Sequence, residues 1–169
     1  MYLSLMKKTV FFLAILGVFS CGEKQVEKQE VTGVNVSLDY SDLPDFRPLS
    51  FKADSIVKVW PAFDALDQRM AALKLVVSLP DLKMLVSELI EKEGAILKDG
   101  YPKDFNTPEV KSRQRLLRTY LLKTQALINQ SQDPKAAALE AVEAFNALKD
   151  QLNRHTVVPV NLNDFKNVP

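Results

Sequence analysis

Seven apolar side chains, Ile56, Val59, Phe63, Leu66, Met70, Leu73 and Val77, recur at alternating spacings of three and four. No strand can gather such a set on one side, because its side chains alternate with period two. A helix places every third or fourth residue on the same face. The pattern predicts an amphipathic helix with an a/d seam. Pro61 lies inside it. A proline is tolerated in a first turn and kinks a helix further in. The helix is therefore expected to start near Trp60, or to start near Asp54 and bend at Pro61.

Three further stripes follow. Leu82, Leu85, Val86, Leu89, Ile90, Ile96 and Leu97 form the second. Ser78 is its cap, Pro80 and Asp81 lie in its first turn, and Gly100 follows its end. The third holds Val110, Leu117, Leu121 and Ile128, widened by Leu116, Tyr120 and Leu127, behind the start signal Thr107, Pro108, Glu109. The fourth holds Ala138, Ala141, Val142, Phe145, Leu148 and Leu152 behind Asp133 and Pro134. Its alanines favour helix and let a neighbour approach closely. Glycine is scarce, 5 of 169 residues, which suits helices better than a sandwich or barrel. The expected fold is all-α, an antiparallel up-down four-helix bundle over residues 54–160 with extended N- and C-terminal arms.

The arms carry a different pattern. In residues 31–40, Val34, Val36, Leu38 and Tyr40 alternate with Asn35, Ser37 and Asp39. Residues 156–162 are similar. The two either pair as a short ladder, with Pro159 at an edge, or lie separately on the bundle. Residues 31–53 are assigned to an extended arm and loop, and 161–169 to a polar tail.

Ahead of all this, Lys7 and Lys8 precede an apolar run over 10–19. That run is too short to span a bilayer, which takes about 20 residues. A positive start, a short apolar stretch and a small residue before a cut mark a signal peptide. Val18, Phe19, Ser20 and Cys21 resemble the lipobox of bacterial lipoproteins, with Phe19 bulkier than that class usually has. The resemblance covers about the first 22 residues. It implies a signal peptide over 1–20, a diacylglycerol on the Cys21 thiol, and a polar tether over 21–30. Gly22, where enteric lipoproteins kept at the inner membrane carry aspartate, implies the outer membrane. The expected location is the cell envelope, with Cys21 as the lipidation site and the membrane as a partner through it. Cys21 is the chain's only cysteine, so its acylation would leave none for a disulfide.

The chemistry inventory is short. Without residues 1–20, which hold two lysines and no acid, 20 basic side chains face 21 acidic ones, a net charge of −1. That balance argues against nucleic acid. Zinc sites need three or four Cys or His ligands, and His155 is the only histidine. No phosphate loop and no nucleophile motif occurs. The bundle outline is similar to soluble four-helix cytochromes of b type. That likeness would make Met70 and His155 haem ligands, yet their places fit a core methionine and a surface histidine better. No cofactor, no metal and no catalytic residue is expected. Lys111, Arg115 and Arg118 share one helix face and form a candidate anion-facing surface. The expected role is a non-catalytic helical interaction module with an envelope protein partner; the alternative is a carrier of haem or a small ligand.

Overall fold

The computed structural model describes residues 38–157, all helix, turn and irregular segment with no strand among them. The signal peptide, Cys21, the tether, most of both alternating arms and the 161–169 tail lie outside the described residues. Within them the chain makes five α-helices: α1 (Phe51–Val57), α2 (Pro61–Met70), α3 (Leu79–Asp99), α4 (Pro108–Asn129) and α5 (Lys135–His155). Two 3₁₀ turns, Ala71–Leu75 and Lys103–Phe105, lie between them. The described residues are all-α as expected, but among them the count is five helices, not four.

The extra helix comes from Pro61. It occupies the first turn of α2, whose cap is Trp60 as the first of the two expected readings has it, and the chain breaks over residues 58–60 between this helix and α1. Ser50 caps α1 through Ala53 N at 3.2 Å, so residues 51–53 are helical rather than part of the arm. The break and the later 3₁₀ turn each remove one member of the first stripe from the core. Val59 is 79% exposed in the break, and Val77 is 70% exposed beyond the 3₁₀ turn. Phe63, Leu66 and Met70 are fully buried. Leu97 and Leu116, assigned to the second and third stripes, are also exposed.

The other ends follow their signals. Ser78 Oγ accepts from Asp81 N at 3.2 Å, and Thr107 Oγ1 accepts from Val110 N at 3.4 Å. Gly100 stops α3 at φ 87°, a left-handed value that favours glycine, with its N–H bonded to Ile96 O at 3.0 Å. At α5 the signal is displaced by one residue. Pro134 is the cap itself, and the Asp133 carboxylate accepts from Lys135 N at 2.9 Å.

Consecutive helices pack side by side: α2 on α3, α3 on α4 and, most extensively, α4 on α5. Thr107 at the start of α4 meets His155 at the end of α5, and Lys123 meets Glu140, so that pair runs in opposite directions. Ala137, Ala138, Ala141 and Ala144 are buried on α5, which explains the close fit.

Residues 40–50 lie along α5 without forming a strand. Their backbone groups are satisfied by two asparagines one heptad apart. Asn146 accepts from Arg47 N at 2.8 Å and donates to Asp45 O at 2.9 Å. Asn153 accepts from Ser50 N at 2.7 Å and donates to Pro48 O at 3.0 Å. Each amide side chain thus does what a neighbouring strand would do.

Tyr40 anchors the start of this segment. It is 1% exposed, and its hydroxyl has no hydrogen-bond partner. Burial, helped by the charge of Asp133, pushes its phenol up to about 12. The folded state then holds the proton more tightly than the unfolded chain, whose phenol titrates near 10. The resulting stability is complete below about pH 10 and is lost as pH rises towards about 12, on the order of 3 kcal/mol in all. Tyr40→Phe should remove that slope. At neutral pH it should stabilise the fold by about 1 kcal/mol, because an unpaired buried hydroxyl is removed. Urea unfolding of both proteins at neutral and high pH checks this. Equal slopes would mean that the phenol titrates normally.

Candidate functional site

The side chains with the most chemical character meet between α3 and α4. Glu93 is 1% exposed on α3, and Gln114 is 1% exposed on α4. Both fall at core positions of their helices. Glu93 continues the spacing of Leu82, Val86, Leu89 and Ile96, and Gln114 fills the gap between Val110 and Leu117. Gln114 Nε2 donates to Glu93 Oε1 at 2.9 Å and lies 3.3 Å from Glu93 O. Arg118, one turn further along α4, forms an ion pair with Glu93 Oε2. The Tyr101 hydroxyl donates to Gln114 Oε1.

Both carboxylate oxygens of Glu93 and both amide atoms of the Gln114 side chain have a partner within this cluster. Burial raises the Tyr101 phenol above its usual value, the charge of Glu93 adds to this, and Arg115 opposes it. Lys111 lies over the Tyr101 ring at 5.3 Å, a cation–π contact. The arrangement ties α3 to α4. Each Glu93 carboxylate oxygen is engaged by a donor from α4, Oε1 by Gln114 and Oε2 by Arg118. Sequence reasoning missed Glu93 and Gln114. The available signal was their position: a polar residue inside an otherwise apolar heptad.

A second inward charge lies on α5. Lys149 Nζ reaches Asp67 Oδ1 of α2 at 2.9 Å and stands 5.5 Å from the Phe145 ring centroid. Arg69 and Glu88 join α2 to α3 at 2.5 Å. Glu88 is thus paired with a neighbouring helix's cation, and so is Glu140, with Lys123 of α4.

The other candidate residues are scattered. Met70 is fully buried at the end of α2, among core side chains. His155 closes α5, half exposed, with Thr107 Oγ1 and Gln151 Nε2 both 3.1 Å from its Nε2. The glutamine amide nitrogen can only donate, so its contact is made to the ring nitrogen as an acceptor. Glu109, beside it, is held below the usual carboxylate range by its own backbone N–H and then by the Thr107 hydroxyl. Met70 therefore occupies a core position, and His155 Nε2 is already engaged at the helix end. Lys111, Arg115 and Arg118 do share one side of α4. They do not form a row of solvent-facing cations, because Lys111 covers Tyr101 and Arg118 turns in to Glu93.

Among the described residues, no group of three His, Cys, Asp or Glu is placed to hold a metal ion. No described helix is long and apolar enough to cross a membrane. An open groove of about 570 Å³ runs between residues 44–48 and the Glu143, Asn146 and Asp150 side of α5. It carries three acids, Asp45, Glu143 and Asp150, against one base, Arg47. No protein-family model, no curated protein and no solved structure matches the chain.

Proposed function

We propose that this protein is a lipid-anchored component of a bacterial cell envelope, in the outer membrane, whose helical domain is a non-catalytic interaction module. One observation carries the reading. The only cysteine stands directly after Val18, Phe19 and Ser20, at the end of an apolar run led by Lys7 and Lys8. A run of that length cannot itself hold the chain in a bilayer. Acyl chains on Cys21 would, since each buried methylene contributes about 0.8 kcal/mol.

The domain is read as an up-down four-helix bundle of α2 to α5, with α1 and the 40–50 segment added on one side. The opposed directions of α4 and α5 support this arrangement. The mutual saturation of Glu93, Gln114, Arg118 and Tyr101 supports a structural rather than a catalytic use of the buried charges. An envelope protein that binds a helix face of this domain is the proposed partner, to be sought by co-purification from gently solubilised envelopes.

Cys21→Ser should abolish palmitate incorporation and leave an uncut or mis-sorted protein. Metabolic labelling followed by detergent phase separation reads both effects. Wild-type protein that is unlabelled and stays in the aqueous phase would overturn the proposal.

A further inference from the structure

The connection from α2 to α3 turns three aliphatic side chains outwards within five residues. Leu75 is 79% exposed, Val77 70% and Leu79 39%. Between the first two, Val76 adopts an extended conformation (φ −73°, ψ 128°) and is buried. Extended backbone sends neighbours to opposite sides, so burying Val76 aims Leu75 and Val77 at the surroundings. The turn is tied at both ends. Val76 N bonds to Leu73 O at 3.4 Å, and Ser78 caps α3. Residues 75–79 carry no charge. The nearest flanking charge, Lys74, is paired with Asp45 at 2.5 Å.

The position of this tip selects its partner. Lys74 meets Asp45, while Lys135 at the start of α5 meets Asp42 at 2.9 Å. Ser87 of α3 lies 3.3 Å from Gln125 of α4, so the start of α3 adjoins the end of α4. Residues 75–79 therefore sit at the end of the domain where the chain arrives from residue 38. Sixteen residues, 22–37, separate Cys21 from that point, a reach of at most about 60 Å. The chain that carries Cys21 therefore joins the domain at this end rather than the other. Phe51, 90% exposed, lies at the other end beside Thr156, a helix length of about 30 Å along α5.

We infer that the 75–79 turn dips into the phospholipid surface to which Cys21 is anchored, so that the domain stands on the membrane with the α2–α3 end down. This rests on the lipid-anchor reading above. The contact is apolar and suits an uncharged bilayer, as the buried area of Leu75, Val77 and Leu79 sets its strength. Because the turn is already ordered, little conformational freedom is lost on insertion.

Acylation occupies the Cys21 thiol, so Val77→Cys and Phe51→Cys each present a single free thiol on the full, lipidated protein. Each is labelled with a polarity-sensitive fluorophore and reconstituted in phosphatidylcholine vesicles, and circular dichroism verifies the fold. Flotation with the vesicles reports the anchor, and the fluorophore reports the tip. The expected result is a blue shift and quenching by spin-labelled lipid at Val77 and neither at Phe51. Adding Leu75→Asp should abolish the Val77 signal while flotation persists. Flotation with a water-like Val77 probe, or with equal quenching at both sites, would overturn the insertion and leave the anchor standing. A Val77 probe shielded by a second copy of the chain rather than by lipid would overturn it as well. Protein that carries no acyl group and fails to float would remove the anchor and the insertion together.

Discussion

Phe63→Ala is expected to destabilise the domain by about 3–5 kcal/mol. Phe63 is fully buried on α2 and joins a run of rings. It stacks on Trp60 at 5.1 Å and on Phe145 at 5.9 Å, and Phe46 meets Phe145 edge-on at 5.9 Å. Trp60 reaches further, to Tyr101, to Phe105 and, through its indole N–H, to Gly100 O at 3.0 Å. Removing the middle ring opens a void between α2 and α5 and breaks two aromatic pairs at once. It also acts on an element too short to stand alone. α2 has 10 residues, and an isolated helix shorter than about 12 is marginal in water. A loss of this size is a large share of the 5–15 kcal/mol typical of a domain. Trp60 is the only tryptophan and is buried, so its fluorescence follows urea unfolding directly. A change under about 0.5 kcal/mol, the range of an ordinary surface substitution, would show that the ring column does not hold α2.

Helix ends were the most legible part of the sequence, because their signals are local. Ser78, Gly100 and Thr107 act through backbone groups a few residues away, and each ends or begins a helix where its type implies. The seam was legible only where the helix stayed whole. Val59 and Val77 keep the spacing but lose the face, since the break before Pro61 and the 3₁₀ turn each reset the rotation. The course of residues 40–50 was hidden for another reason. It depends on Asn146 and Asn153, about a hundred positions away, whose type alone does not reveal that they clasp a backbone. The cationic row on α4 shows the same limit. Spacing places Lys111, Arg115 and Arg118 together, but the partner that turns Arg118 inwards stands on α3.

That partner carries the second large expectation. Arg118→Ala should cost about 3 kcal/mol, the lower end of the range for breaking a buried ion pair. The lower end applies because the Arg118 side chain is 37% exposed while that of Glu93 is 1% exposed. Water can reach the arginine's place but not most of the carboxylate, which would keep only Gln114 as a donor. Replacing both partners, Glu93→Leu with the same Arg118→Ala, should cost about 1 kcal/mol or less, since no charge remains to be desolvated. Gln114 would still have the Glu93-position backbone carbonyl, now 3.3 Å away, and the Tyr101 hydroxyl. The double variant is therefore expected to be more stable than the Arg118 single variant, a reversal that no sum of independent losses produces. Urea midpoints of the three proteins decide it. A double variant less stable than Arg118→Ala would mean that the pair holds α3 and α4 together by its own attraction. The expected order instead makes Arg118 the counter-charge that lets an acid sit at a core position, with the α3–α4 contact carried by Leu89, Ile96, Leu117 and Leu121 around it.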